Sequence, residues 1–229
     1  MSKSLTLRPA NELSPEFPEA IPQLPHTVAV RIREGLRNTS AYSDDGRLFL
    51  NRTLTKDLLA TDQAGANRFY VELDDTDKLE DGAEQFAAAE AVIYEQTKRI
   101  QEPRDPIKRE QLRDAERCVQ ALRDAPELEK IRVLEEAKIR RELPKLKVRI
   151  LANRGIATCE LTGQPLQPDA HAHHANRKED NPRLSLDPAN IVICNPGPHR
   201  EAHASGAESA IELEKFAKDN NGSWRRPAD

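Results

Sequence analysis

Apolar residues between positions 81 and 150 recur at intervals of three and four, the spacing that brings side chains onto one face of a helix. The clearest series are Phe86, Ala89, Ile93 and Ile100, followed by Leu112, Ala115, Val119 and Leu122. Pro103 and Pro106 separate a first helix from a second, and Pro126 marks the start of a third. We expect that third helix over 128–143, with Pro144 ending or kinking it. The pattern predicts a helical hairpin or arm over 81–143.

Shorter apolar runs precede this helical region and are rich in the β-branched and aromatic residues typical of strands. The runs are 28–33, 48–50 and 69–73, and the turn Asp44-Asp45-Gly46 lies before the second. Thr53 or Thr55 is a suitable cap for a short helix between the second and third runs. These features predict a small α+β region of unknown role over 27–80. The prolines at positions 9, 15, 18, 22 and 25 predict a disordered lead-in over 1–26.

Beyond Pro144 the pattern changes to short elements. The predicted elements are a basic helix over 145–153, a strand and tight turn over 158–166, strands over 170–175 and 190–194, a helix opened by Pro198, and an amphipathic helix over 209–218. The tail, 220–229, is expected to be loose. The fold class that follows is α+β, with a helical N-terminal and middle region before a compact C-terminal module over 144–219.

Composition narrows the class of protein. The 229 residues are 37% hydrophobic, 4% aromatic and 32% charged, which favours a globular part with helical segments over one large core. No apolar run approaches the roughly 18 residues of a membrane span, and the N-terminus lacks the apolar core of a secretory signal. Cys118, Cys159 and Cys194 are odd in number and widely spaced, so they predict no disulfide framework. We therefore expect a cytoplasmic protein without a membrane partner.

The net charge of −4 is unevenly distributed. Residues 72–84 contain seven acidic residues and one base, whereas 130–154 contain nine bases and three acids. The basic stretch is suited to attract the phosphates of a nucleic acid, and its alternative interpretation is a solvated helix face. The acidic segment 72–84 is a candidate surface for a protein partner. Nothing in the sequence predicts an oligomeric state.

Five of the six histidines fall between residues 171 and 203: His171, His173, His174, His199 and His203. Histidine both binds transition metals and transfers protons near neutral pH. A pair at i and i+4 on a helix, such as 199 and 203, is a frequent metal clamp. Adjacent histidines on a strand point to opposite sides, so that one can face a metal and the other a water molecule. The cluster predicts a metal-dependent site.

The same residues resemble an HNH nuclease of the ββα-metal fold. The segments that carry the resemblance are Cys159-Glu160-Leu161-Thr162-Gly163, Ala172-His173-His174-Ala175, Asp187-Pro188-Ala189-Asn190-Ile191-Val192-Ile193-Cys194 and His199-Arg200-Glu201-Ala202-His203. Their spacing is close to that of colicin-type DNase domains. The resemblance covers residues 145–205, about a quarter of the chain, and the preceding 140 residues resemble no family.

This resemblance implies a metal-dependent DNA endonuclease with residues in defined roles. It implies that His173, His199 and His203 bind one divalent ion (Mg²⁺, Mn²⁺, Ni²⁺ or Zn²⁺) and that His174 is the general base. It further implies that Asn190 holds His174 by a hydrogen bond across the two strands. The candidate phosphate contacts are Arg154, Arg177, Lys178 and Arg200.

Two features leave alternatives open. Many HNH proteins hold the hairpin with four cysteines on a zinc ion, whereas here Cys159 and Cys194 have no such partners, so we expect no structural zinc. His171 is either a spare metal ligand or an exposed residue. Two other functions also stay open: a non-catalytic nucleic-acid- or protein-binding module on an HNH scaffold, and a nuclease toxin or defence effector.

Overall fold

A computed structural model describes residues 6–102, 104–179 and 182–226, and it combines helices with antiparallel sheets. This mixture of helices and sheets confirms the predicted α+β class. The chain divides into two compact units, 1–134 and 135–229. Within the described residues, no helix is both long and apolar enough to cross a membrane.

The N-terminal unit contains a five-stranded sheet in the order β1-β2-β3-β5-β4, with all neighbouring strands antiparallel. The strands are β1 Leu7–Pro9, β2 Ala41–Ser43, β3 Leu48–Asn51, β4 Lys78–Asp81 and β5 Glu84–Ala88. The helices are α1 His26–Thr39, α2 Thr55–Leu58, α3 Gln63–Glu72, α4 Ala89–Gln101 and α5 Pro106–Arg123. The acidic segment 72–84 therefore lies around β4, at one edge of this sheet.

Strand β3 agrees with the predicted run at 48–50, and the preceding turn at 44–46 joins it to β2. Leu48 and Leu50 face the main core, whereas Phe49 faces a second cluster with Phe86. This alternation is the period of two that a strand buried on both faces requires. Asn51, rather than either predicted threonine, caps the following turn by accepting a hydrogen bond from the Thr53 amide.

Two predicted strands are wrong because both runs are helical. Residues 28–33 lie in α1, and 69–73 overlap the end of α3. In α1 the buried residues Ala29, Ile32 and Leu36 recur at three and four, and they face the core. A short run of β-branched or aromatic residues does not distinguish a strand from a buried helix face, so the packing decides. The helix predicted to include Phe86 begins only at Ala89, after β5.

Helices α4 and α5 form a hairpin, but they are not a separate arm. Ala115, Val119 and Leu122 of α5 are fully buried in the same core as α1 and the sheet. The helix after them, α6 Pro126–Arg154, continues through Pro144 instead of ending there. Pro144 is exposed, as is Arg140, whose carbonyl loses its helical partner and can be hydrated instead.

The described part of the proline-rich lead-in is packed rather than disordered. Strand β1 pairs with β2, and Leu13 and Leu24 are buried. Asp114 of α5, fully buried, accepts hydrogen bonds from Arg33 and from the Ile21 amide, while Arg33 also donates to the Pro18 carbonyl. This network fixes the segment by its backbone, which is why proline content alone gave the wrong prediction. Residues 1–5 lie outside the described residues.

The C-terminal unit begins within α6 and contains a two-stranded antiparallel sheet and two further helices. These elements are β6 His171–His174, β7 Ile191–Cys194, α7 Pro196–Ala204 and α8 Ala210–Asp219. The strands predicted over 170–175 and 190–194 and the last two predicted helices agree with these elements to within a few residues. The predicted basic helix over 145–153 is instead the end of α6, and the strand predicted over 158–166 is reduced to a single bridge between Thr158 and Pro165. The tail is not loose up to residue 226, because Trp224 is buried and its amide donates to the Glu160 carbonyl. Residues 227–229 lie outside the described residues.

Candidate metal centre

Three of the predicted ligands come together at the junction of β6 and α7. His173 pairs with Val192 across the sheet and faces the cluster that contains α7, on which His199 and His203 lie one turn apart. One nitrogen from each of the three rings lies within 4.8 Å of the others. The predicted ligand set is thus assembled without any rearrangement of the backbone.

The three rings meet edge to face. The ring centroids are 5.1 Å apart for His173 and His199, 4.8 Å for His173 and His203, and 4.7 Å for His199 and His203. The corresponding interplanar angles are 83°, 68° and 81°. Ring planes that cross in this way allow in-plane nitrogen lone pairs to converge on one point.

Burial favours the metal-binding, neutral form of two of the three ligands, His173 and His199. His173 is only 5% exposed, and burial, followed by the neighbouring His199 and His203, lowers its pKa to about 4. Burial also lowers the pKa of His199. Both rings are therefore neutral at pH 7, which metal coordination requires. Three imidazole nitrogens fit a divalent transition ion such as Zn²⁺ or Ni²⁺ better than Mg²⁺, which prefers oxygen ligands.

His174 is held differently from its neighbour. Its Nε2 lies 3.0 Å from the Ser185 carbonyl oxygen. Because a carbonyl only accepts hydrogen bonds, we assign the proton to Nε2, which leaves the lone pair on Nδ1. His174 lines the same cleft as the three ligands. Sequence reasoning missed Ser185, because its contact with His174 is made by the backbone carbonyl and not by the side chain.

The described hydrogen bonds of the Asn190 side chain go to Asn176 and Leu184 and not to the His174 ring, so this part of the prediction is wrong. Its side-chain oxygen accepts from the Asn176 amide at 2.7 Å, and its nitrogen donates to the carbonyls of Asn176 at 3.0 Å and Leu184 at 3.2 Å. Asn190 therefore fixes the chain on both sides of the β6–β7 connection, next to the Ser185 carbonyl. Its effect on His174 is indirect, through the backbone that bears the acceptor.

A cleft of about 270 Å³ contains His174 and the three ligands. Two of the predicted phosphate contacts, Arg177 and Lys178, line it together with Glu179 and Glu208. Arg177 pairs with Glu208 at 2.7 Å, and both side chains are about half exposed. Lys178 has no ion partner among the residues that the structure describes. The cleft thus combines three imidazole ligands, an arginine paired with Glu179 and Glu208, and a lysine that has no ion pair within the described residues.

The other two predicted phosphate contacts lie elsewhere. Arg154 donates to the Ile191 carbonyl at 2.9 Å and forms an ion pair with the buried carboxylate of Glu160, whose other oxygen accepts from the Ile193 amide. The side chains of Arg154 and Glu160 thus bind backbone groups of Ile191 and Ile193 on the edge of β7 that does not pair with β6. Arg154 is therefore structural, which corrects the prediction. Arg200 is exposed on α7 and is outside the described cleft lining.

The turn that carries Cys159 is held by hydrogen bonds. The sulfur of Cys159 accepts from the Asn195 amide at 3.4 Å, and the Asn195 side chain accepts from the Gln167 amide and donates to the Pro165 carbonyl. Burial raises the pKa of the Cys194 thiol to about 12. Both cysteines are fully buried, and they pack with Leu161 and Val192 beside the histidines.

No protein-family model matches this chain, and no significant match was found among curated proteins or solved structures. The features that point to a function are therefore the histidine cluster and the other residues that line the cleft.

Proposed function

We propose that the C-terminal unit is a metal-dependent endonuclease that hydrolyses phosphodiester bonds in DNA, as the HNH resemblance implies. The observation that carries this proposal is the presence, in one cleft, of three convergent imidazoles and of His174 with a free Nδ1 lone pair. A purely structural metal site needs the first feature but not the second.

His173, His199 and His203 would hold one divalent ion. When bound, such an ion supplies positive charge that stabilises negative charge developing on the phosphate oxygens. The three ligands come from a strand and from the following helix, so the fold of the unit fixes their spacing. Because His173 is buried and neutral, it needs no deprotonation before an ion binds.

His174 acts as the general base and accepts the proton of the attacking water on Nδ1. The Ser185 carbonyl fixes the orientation of the ring and, as an acceptor from Nε2, stabilises the imidazolium that forms. This is the arrangement by which a carboxylate orients the histidine of a serine hydrolase, with a backbone carbonyl in its place. Asn190 keeps that carbonyl in position by its bond to Leu184.

Phosphate contacts are expected from the cations at the cleft. Lys178 is exposed and without an ion partner in the described part of the chain, and Arg177 becomes available when it exchanges Glu208 for a phosphate. Arg200 is exposed on α7, next to the ligand His199, and is suited to a flanking phosphate. These contacts are independent of base sequence.

Cleavage of supercoiled plasmid tests the proposal. The metal-free chain is assayed with Mg²⁺, Mn²⁺, Ni²⁺ and Zn²⁺ added separately, against supercoiled, linear and single-stranded DNA, with a chelator control. We expect nicking that depends on added metal. Failure to cleave any of the three DNAs with any ion that calorimetry shows to be bound would instead favour a non-catalytic module on the same scaffold.

A further inference from the structure

His171 is the one histidine of the cluster that the proposed function leaves without a role. It lies on β6 two residues before His173, so both side chains project from the same face of the sheet. It is exposed, and its ring stacks on that of His199 with centroids 4.7 Å apart and planes 20° from parallel. Its contact with His199 therefore differs in kind from the edge-to-face contacts among the three ligands.

The angle between two rings decides whether they can bind the same ion. An imidazole nitrogen binds a metal along its lone pair, which lies in the ring plane, at about 2.0–2.1 Å. Two rings with crossing planes can direct their lone pairs at one point, as the three ligands do. Two stacked rings direct them along nearly parallel planes. His171 accordingly lies outside the set of nitrogens within 4.8 Å of one another.

We propose that His171 is a positioning residue for the metal ligand His199 and is not a fourth ligand. Its ring covers one face of His199 and restricts rotation of that ring, so that the His199 nitrogen is held toward His173 and His203. The fourth coordination position is thereby left open. Only the significance of this open position, as the place of water and substrate, rests on the proposed nuclease function.

Two substitutions separate stacking from coordination. Phe in place of His171 keeps an aromatic ring but has no nitrogen, whereas Ala removes both. We expect His171→Phe to bind Ni²⁺ and Zn²⁺ with the affinity of the parent chain in calorimetry. We expect His171→Ala to bind them about 3- to 10-fold more weakly, the range that a stacking contact supplies. The absorption spectrum of bound Co²⁺, which reports the number of nitrogen ligands, should be the same in all three proteins.

The opposing results are equally distinct. A loss of affinity in both variants, or a changed Co²⁺ spectrum in either, would make His171 a ligand and the site closed. Unchanged affinity in His171→Ala would make it a surface residue without influence on His199. His26→Ala, in the N-terminal unit, is the matched control for loss of a histidine. Because all of these measurements are made without DNA, they stand whether or not the parent chain proves to be a nuclease.

Discussion

At the scale of single residues, the environment gives two adjacent histidines different properties. His173 is buried among other imidazoles, and its pKa falls to about 4, which suits a ligand that must stay neutral. His174, one residue later, faces the Ser185 carbonyl and keeps one lone pair available. The alternation of side chains along β6 accounts for this difference. The sequence predicted both roles, but it gave no indication of the acceptor that orients His174.

The low pKa of His173 makes the stability of the metal-free chain depend on pH. In the unfolded chain its pKa is near 6.5, so between about pH 6.5 and 4 the unfolded state binds the extra proton and folding is weakened as pH falls. The loss should approach about 3 kcal/mol. Denaturant unfolding of the C-terminal unit across this range measures it. His173→Leu should flatten the profile, whereas a profile identical to the parent's would contradict the assignment; His26→Leu, at an exposed histidine of the N-terminal unit, is the control.

Arg154 offers a second test at this scale, because its partners are buried. Arg154→Ala leaves the Glu160 carboxylate without its ion pair and the Ile191 carbonyl without this donor. Removing one member of such a pair costs about 3 kcal/mol or more. We expect a correspondingly lower free energy of unfolding, measured by denaturant titration, with Arg200→Ala close to the parent. If Arg154→Ala weakens only DNA binding and leaves stability unchanged, Arg154 is a phosphate contact after all.

At the scale of elements, prediction succeeded where local chemistry and packing agree. β6, β7 and α7 were predicted because short apolar strands, turn residues and Pro196–Pro198 mark their limits within a few positions. Prediction failed for 28–33 and 69–73, where the same composition suits a buried helix face. It failed again for the described part of the lead-in, 6–26, where the distant Asp114 binds the Ile21 amide. Contacts between residues far apart in sequence decide such segments, and no local pattern reports them.

The loop that follows β6 contains Arg177, whose ion pair with Glu208 can be tested. Arg177 is paired with Glu208, and an exposed ion pair of this kind contributes at most about 1 kcal/mol, so a phosphate can displace it. Glu208→Gln should therefore raise DNA affinity about 3-fold, because it leaves Arg177 with only the longer 3.8 Å contact to Glu179 and removes a negative charge beside the substrate. Arg177→Ala should lower affinity and reduce its salt dependence.

Fluorescence anisotropy with labelled duplex DNA over a salt series measures both effects. Glu214→Gln is the matched control, because Glu214 pairs with Arg226 on an exposed surface outside the described cleft lining. Equal affinities for Glu208→Gln and the control would show that the Arg177–Glu208 pair has no part in DNA binding.

At the scale of the whole molecule, the candidate metal ligands lie in one unit. The N-terminal unit has its own sheet and its own core, and five of the six histidines lie in the C-terminal unit. Of the described residues, only His173, His199 and His203 form a cluster able to hold a metal ion. We propose that an ion bound there and His174 act together in hydrolysis, with separable roles.

Metal titration and plasmid nicking, measured on the same two variants of the 229-residue chain, separate these two roles. His174→Ala should keep the parent's metal affinity within about twofold, because it removes no coordinate bond. Its nicking rate should fall about 10²- to 10⁴-fold, because it removes proton transfer. His199→Ala should bind metal at least about 10-fold more weakly, with nicking falling in parallel. Nicking by His174→Ala at the parent's rate would show that His174 is not the general base. Loss of metal from His174→Ala with retention by His199→Ala would show that the ligand and base roles are assigned to the wrong histidines.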